Sequence, residues 1–429
     1  MSDTTPASSD PSIYAEYQSK WSTLPADSAG WIQRANDVAD VLKTDAAARE
    51  KANKSPKAEV ALLKHSGLLK VLGPAKYGGG AQPWDVAYRV IREIAKGDGS
   101  IGMLLGYHLI WAATPNVFGS PEQADRIQKI IITNNYYIGG AVNPRDNDLT
   151  IKPEGDKLVF NGLKNFSTGG VISDLTVLEG VVAGSTDHIF ALVPTNQPGI
   201  KFKHNWDNVG LRLTESGGVQ IQDVPIPWED ALGWDVKTKK PDPNILGVPL
   251  ASIFLPLIQL NFANFYIGIA WGALEFAKDY TRKNTRPWPF GGDPKEKVDD
   301  EFYILQTYGN FFAHLRAATA LADRANLEAA RLYTKYVNSG DRAKFTAAER
   351  GEFAEWVASV KVVATDTSLR VTSGVFEVTG SRSTAAKVGL DRFWRDVRTH
   401  TLHDPVSYKN RELGRYYLLD ELPEPTWYT

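Results

Sequence analysis

The chain of 429 residues contains no cysteine. Disulfides, thiolate zinc sites, iron–sulfur clusters and a Cys nucleophile are therefore excluded. A reducing, cytoplasmic setting is the matching expectation. A charge excess is also missing: 48 Lys and Arg face 50 Asp and Glu, for a net charge of −2. Non-specific nucleic-acid binders carry a basic excess, so no nucleic-acid partner is expected. Neither a P-loop nor a G-x-S-x-G motif occurs, and there is no internal repeat. The N-terminal MSDTTPASSDPS lacks a basic-then-apolar signal pattern, and Trp427-Tyr428-Thr429 is not a peroxisomal address.

Charge is locally absent as well. From Pro243 to Leu274, 32 residues carry none. Pro249, Pro256, Gln259, Asn261 and Asn264 interrupt the run, which suits a helix buried in a bundle better than one facing lipid. No membrane association is expected.

What is present divides into three zones. Residues 11–135 read as a helical domain. Ala58–Leu72 and Trp84–Lys96 carry apolar residues at helical spacing, and Ser120-Pro121 is a helix start. Residues 136–240 switch to short β-branched runs: Leu149–Ile151, Lys157–Phe160, Leu175–Val182, His188–Val193, Ile200–Lys203 and Val219–Ile226. With no helices between them, they predict a β-barrel or sandwich domain. Residues 241–429 return to long helices, with one seam at Ile304, Tyr308, Phe311, Leu315, Ala318, Ala322 and Ala325. A second runs through Phe353, Val357, Val360, Ala364, Thr367 and Val371. Such seams predict an antiparallel helical bundle. The fold class is α+β multidomain.

Three clusters carry candidate chemistry. Gly97-Asp98-Gly99-Ser100-Ile101-Gly102 matches G-x-G-x-x-G, but a helical pattern precedes it where a dinucleotide site needs a strand. A helix break capped by Asp98 or Ser100 is the expected reading, and no nicotinamide site follows. Lys164-Asn165-Phe166-Ser167-Thr168-Gly169-Gly170 is either a hairpin turn or a loop offering backbone amides to a planar ligand. Arg395 to Pro405 holds two of the seven histidines, His400 and His403, beside Asp404. It is either a charged helix end or a cavity lining. No H-E-x-x-H accompanies these histidines, so no metal is expected.

The α–β–α order resembles the acyl-CoA dehydrogenase fold over nearly the whole chain. More narrowly, the sequence resembles the dibenzothiophene monooxygenase family of flavin-dependent oxygenases. The carrying segments include Gly106-Tyr107-His108-Leu109, Arg286-Pro287-Trp288, Ser373-Gly374-Val375-Phe376-Glu377, Asp391-Arg392-Phe393-Trp394-Arg395, and Arg398-Thr399-His400-Thr401-Leu402-His403-Asp404-Pro405.

The resemblance implies a homotetramer binding reduced FMN between the β domain, the bundle and a neighbouring subunit. It implies cofactor contacts at Tyr107, Gly140, Ala141, Val142, Asn143, Lys164, Asn165, Phe166, Ser167, Thr168, Arg286, Ser381, Arg382 and His403, with the arginines near the phosphate. His403, Tyr107 and Thr168 are the implied catalytic residues, and Phe166, Trp206 and Met103 the implied substrate pocket. Three positions depart from the family pattern: Gly140 replaces an Asn, Ser167-Thr168 replaces Cys-Ser, and Met103 replaces a His.

An acyl-CoA dehydrogenase needs a carboxylate base at the flavin. The family's Glu is absent here, and its place falls on His403-Asp404-Pro405-Val406. The expectation is therefore a two-component monooxygenase, in which FMN reduced by a separate NAD(P)H:flavin reductase meets O2. The flavin C4a-hydroperoxide so formed would oxygenate a sulfur or nitrogen atom of an aromatic or apolar substrate. The alternative is an acyl-CoA dehydrogenase, oxidase or nitroalkane oxidase with Asp404 as base.

Overall fold

The computed structural model describes residues 7–143, 148–290, 292 and 295–426. The readings made on residues 1–6 and on 427–429 lie outside them. The N-terminal helices are α1 (Glu16–Lys20), α2 (Ser28–Lys43), α3 (Ala46–Ala52), α4 (Lys57–Ser66), α5 (Trp84–Gly97), α6 (Gly99–Phe118) and α7 (Pro121–Thr133). The predicted helix over Ala58–Leu72 ends early, because Gly67 turns left-handed (φ 75°) and a 3-10 turn follows. Asp98 caps α6 by accepting from the Ile101 amide, so the glycine-rich match is the junction of two helices. Ser120 and Gln123 form a reciprocal capping box at α7.

The middle strands are β1 (Ile138–Ala141), β2 (Leu149–Glu154), β3 (Lys157–Lys164), β4 (Leu175–Val182), β5 (His188–Pro194), β6 (Ile200–Phe202) and β7 (Val219–Pro227). They form one curled seven-stranded sheet in the order β1-β4-β2-β3-β7-β6, with β5 on the other side of β4. β1 escapes the sequence reading because Gly139 and Gly140 give it no β-branched signature. Its glycines have a packing reason. A Cβ on Gly139 would stand 2.7 Å from the Gly170 nitrogen, and one on Gly140 would stand 2.5 Å from the Trp111 ring.

The C-terminal helices are α8 (Phe254–Asn284), α9 (Phe302–Leu332), α10 (Ala347–Thr379), α11 (Asp391–His400) and α12 (Val406–Leu419). α8 is long and apolar enough to cross a membrane, yet 89% of that apolar window is buried within the protein. It packs against α5, α6, α9, α10 and α11. Both predicted seams are buried, apart from a half-exposed Tyr308. A core continuous from α2 through α10 unites the two helical zones, and the sheet keeps its own core around Phe160, Ile189 and Trp228. α6 therefore sits between the bundle and the sheet.

Candidate active site

Four elements converge near the middle of α6. α6 supplies Met103 and Tyr107, one turn apart, both nearly fully buried. α8 supplies Gln259, Phe262 and Tyr266, and α11 ends at His400. His400 is buried, with its Nε2 3.1 Å from the Tyr107 hydroxyl and its Nδ1 2.7 Å from the Tyr266 hydroxyl. Tyr266 Oη also donates to the His400 carbonyl at 3.0 Å. A phenol has one proton to give. With that proton on the carbonyl, Tyr266 accepts from Nδ1–H, and Nε2 accepts from Tyr107. This assignment satisfies every group. Burial holds His400 neutral, well below its ordinary pKa, and pushes both phenols well above theirs.

His403, three residues on, stacks on His400 with centroids 5.1 Å apart and planes 10° apart. It also packs on Phe262 at 4.9 Å, and its side chain stays 52% exposed. Its Nδ1 lies 3.3 Å from Asp404 Oδ1. Asp404 is held further by Lys361 of α10 at 2.6 Å and by Gln259 Nε2 at 3.0 Å. Burial opposes the Asp404 charge, but His403 and Lys361 outweigh it and hold the carboxyl far below its usual range. Burial works against Lys361 too, and its pKa falls.

The loop after β3 closes one side. Its Lys164, Ser167 and Thr168 side chains turn inward. Lys164 is buried and paired with Glu179 at 2.8 Å and the Asn143 carbonyl at 3.0 Å. Ser167 Oγ donates to the Gly217 carbonyl at 2.7 Å, and Thr168 Oγ1 meets Ser216 Oγ at 2.9 Å. Asn165 and Phe166 point outward. Phe166, 60% exposed, meets the half-buried Trp206 edge to face at 6.5 Å. Phe166, His204, Leu211 and Glu215 all adopt left-handed backbone, with φ between 48° and 60°. Such strain, in two adjoining loops, marks a site over-determined by its surroundings. The second loop is tied to α11, since the Leu211 amide donates to Asp396 Oδ1 at 2.6 Å and Arg395 holds the Val209 carbonyl at 2.8 Å.

The remaining implied contacts fall in two places. Gly140 and Ala141 are buried in β1, with Val142 and Asn143 just after it; the Gly140 amide donates to the Thr168 carbonyl at 3.2 Å. Arg286, Ser381 and Arg382 are exposed at the far end of α8, where Arg382 donates to the Asn284 carbonyl at 2.6 Å. The 22 residues from Phe262 to Asn284 separate that end from His403 by roughly 33 Å. The sequence reading placed His400 in a candidate cavity-lining segment without assigning it a role, and missed Tyr266, Lys361, Gln259 and Phe262 as parts of the site. The i, i+3 pairing of His400 with His403 was the signal for that segment; the α8 and α10 partners had none.

This geometry can be set beside known proteins. Residues 34–134 match the model of the acyl-CoA dehydrogenase N-terminal domain, and residues 260–408 match that of the C-terminal domain. Dibenzothiophene monooxygenase from Mycolicibacterium goodii is 40% identical over 408 residues, covering 92% of this chain and 95% of that one. The chain belongs to the acyl-CoA dehydrogenase family, on its flavin-dependent monooxygenase branch. Among solved structures, FMN-bound TdsC from Paenibacillus sp. A11-2 superimposes with a TM-score of 0.85 at 35% identity, covering 93% and 100% of the two chains. Methanesulfinate monooxygenase MsuC from Pseudomonas fluorescens gives 0.86 at 34% identity, covering 93% and 99%. On this acyl-CoA dehydrogenase scaffold, the position expected for the catalytic carboxylate is occupied by His403 and by an Asp404 already neutralised by Lys361. A carboxylate held at so low a pKa is a poor base.

Proposed function

We propose that this chain is the oxygenase of a two-component system, using reduced FMN and O2 to oxygenate a sulfur or nitrogen atom of an aromatic or apolar substrate. The observation that carries this reading is the neutral His400 clamped between two phenols, with Asp404 locked to Lys361 where a dehydrogenase needs a free base. The surroundings fit a flavin ring: aromatic faces at Phe166, Trp206 and Phe262, the half-exposed imidazole of His403, and the strained loop backbone. Bound reduced FMN supplies an electrophilic oxygen after meeting O2. His403, oriented by Asp404, would hydrogen-bond at the ring, and Tyr107 would fix the opposite wall through His400. Phe166 and Trp206 exclude water.

Arg286 and Arg382 belong to the same flavin only if a second copy brings them. A ribityl chain cannot span the length of α8, so the site is shared between subunits. Exposed aromatic and aliphatic side chains at Trp288, Phe290, Phe302, Leu305 and Phe312 supply apolar surface for that contact. We place such a homotetramer in the cytoplasm, fed by a separate NAD(P)H:flavin reductase.

The test is a substrate screen with a generic flavin reductase, NADH and O2, read as a mass gain of one oxygen. His403→Ala should lower product on the order of 100-fold while leaving the fold intact. Dye reduction by acyl-CoA substrates without oxygen consumption would overturn the reading.

A further inference from the structure

α6 has a second face. At about 100° per residue, Leu109, Ala112, Ala113 and Asn116 stand on the side of the helix away from Tyr107. They line a cavity of about 240 Å³ that shares no residue with the cluster of Tyr107, His400 and His403. The start of α5, the inner face of α7 and a π-helical turn after α9, Tyr333–Asn338, complete its wall. Such wide turns interrupt a helix at an energetic cost and recur at functional sites. This one brings Tyr333, Thr334 and Asn338 to the same cavity.

The wall is mostly apolar, yet two hydrogen-bond donors are left over on it. Trp84 is 1% exposed, and its Nε1–H has no acceptor among the described residues. Tyr333 Oη accepts from Asn116 Nδ2 at 3.1 Å, and no described residue accepts the phenol's own proton. The two rings meet edge to face with centroids 5.8 Å apart. Burial pushes the Tyr333 hydroxyl up to about 12, against the pull of Asn116, Arg342 and the neighbouring indole N–H, so at neutral pH it keeps its proton and remains a donor. Gln128 Nε2, on the same wall, is spent on the Ala112 carbonyl at 2.6 Å. Trp31, Trp111 and Trp228 also hold unmet donors, but none of them faces this cavity. Buried donors are nearly always met, so the pair beside an open volume points to an acceptor that the chain itself does not supply.

We infer that this cavity is a second ligand site, separate from the flavin site, for a compact apolar molecule held by one carbonyl oxygen. That oxygen has two lone pairs, one for Trp84 Nε1–H and one for Tyr333 Oη–H. No charged side chain lines the cavity among the described residues, so a carboxylate or phosphate would be stranded there. A hydrocarbon of the same shape leaves both donors unmet. The volume falls below the roughly 300–1,000 Å³ of sites for drug-sized ligands, which limits the occupant to about a single ring. The inference stands apart from the oxygenase reading, because the cavity lies across α6 from His400 and brings no group that could do chemistry on its ligand.

The test titrates the FMN-saturated enzyme with cyclohexanone and with methylenecyclohexane, which replaces the oxygen by a CH2 of similar size. By calorimetry the wild type should prefer the ketone by at least about tenfold, because a site built to pair a polar group rejects the analogue lacking it. Trp84→Phe and Tyr333→Phe should each weaken ketone binding about tenfold, as loss of one hydrogen bond does, and so narrow the preference. Ala113→Leu fills the cavity and should abolish binding of both probes. FMN affinity, read by flavin fluorescence, should stay unchanged in all three variants, which separates this site from the flavin site. No binding of cyclohexanone to the wild type, equal affinity for the two probes, or full ketone binding retained in both Phe variants or in Ala113→Leu would each overturn the inference. Should Ala113→Leu fail to fold, the two Phe variants decide it alone.

Discussion

Replacing Lys361 with Met tests the electrostatic logic of the site. The ammonium is fully buried and stands 2.6 Å from an Asp404 whose side chain is 21% exposed. Removing one partner of a buried pair leaves the other charge without compensation and costs about 3–5 kcal/mol. The partial exposure of Asp404 places this case at the low end, about 3 kcal/mol, because water screens what remains. In a chain of 429 residues about 1 °C of Tm is lost per kcal/mol, so calorimetry at pH 7 should show a fall of roughly 3 °C.

The pH dependence supplies a second check. The carboxyl of Asp404 is depressed in the folded wild type, so its stabilisation is present above the ordinary carboxylate pKa and is lost as pH falls through the depressed value. In Lys361→Met the carboxyl protonates more readily, and the gap to wild type should narrow between about pH 5 and pH 3. The double variant Lys361→Met/Asp404→Asn should be more stable than Lys361→Met alone, because no charge is left stranded. A Tm unchanged at pH 7, or a gap equally wide at pH 4 and pH 8, would refute the reasoning.

Other outcomes follow from the same contacts. Tyr266→Phe removes the acceptor for His400 Nδ1–H and should cut coupled product about tenfold while raising hydrogen peroxide release, measured by a peroxidase assay. Burial, reinforced by Asp98, pushes Asp396 up to about 7 against the pull of the Leu211 amide. The folded state therefore binds its proton more tightly, and this group's contribution to stability falls as pH rises from about 4 to about 7. Asp396→Asn should flatten that slope in Tm against pH; a slope identical to wild type would exclude Asp396 as its source. Chains carrying Arg286→Ala and chains carrying His403→Ala should each be nearly inactive and should regain activity when co-assembled. Failure of the mixture to recover would argue that one chain holds the whole flavin.

The two helical seams were readable because buried positions on long helices repeat at three and four residues, and Ile304 to Ala325 and Phe353 to Val371 keep that repeat without a break. The strands from Leu149 onward were readable from their β-branched runs. β1 was not, since Gly139 and Gly140 are chosen by how closely the Gly169–Gly170 backbone and the Trp111 ring approach, and those neighbours are distant in sequence. In the site, His403 and Tyr107 were legible from motif segments. Lys164 and Thr168 were legible as a cluster but not in orientation: a strand end cannot reveal that Glu179 and Ser216 will draw those side chains inward.

By itself the sequence determined which chemistries are closed to this protein and the order of its three zones. Composition bears on the first directly, and local periodicity on the second. Only the tertiary structure decided which histidine is sealed between two phenols, which carboxylate is neutralised by a buried lysine, and that Arg286 and Arg382 stand at the opposite end of α8 from His403. Those facts depend on side chains tens to hundreds of residues apart meeting in one low-dielectric volume, where burial sets protonation and helix length sets reach.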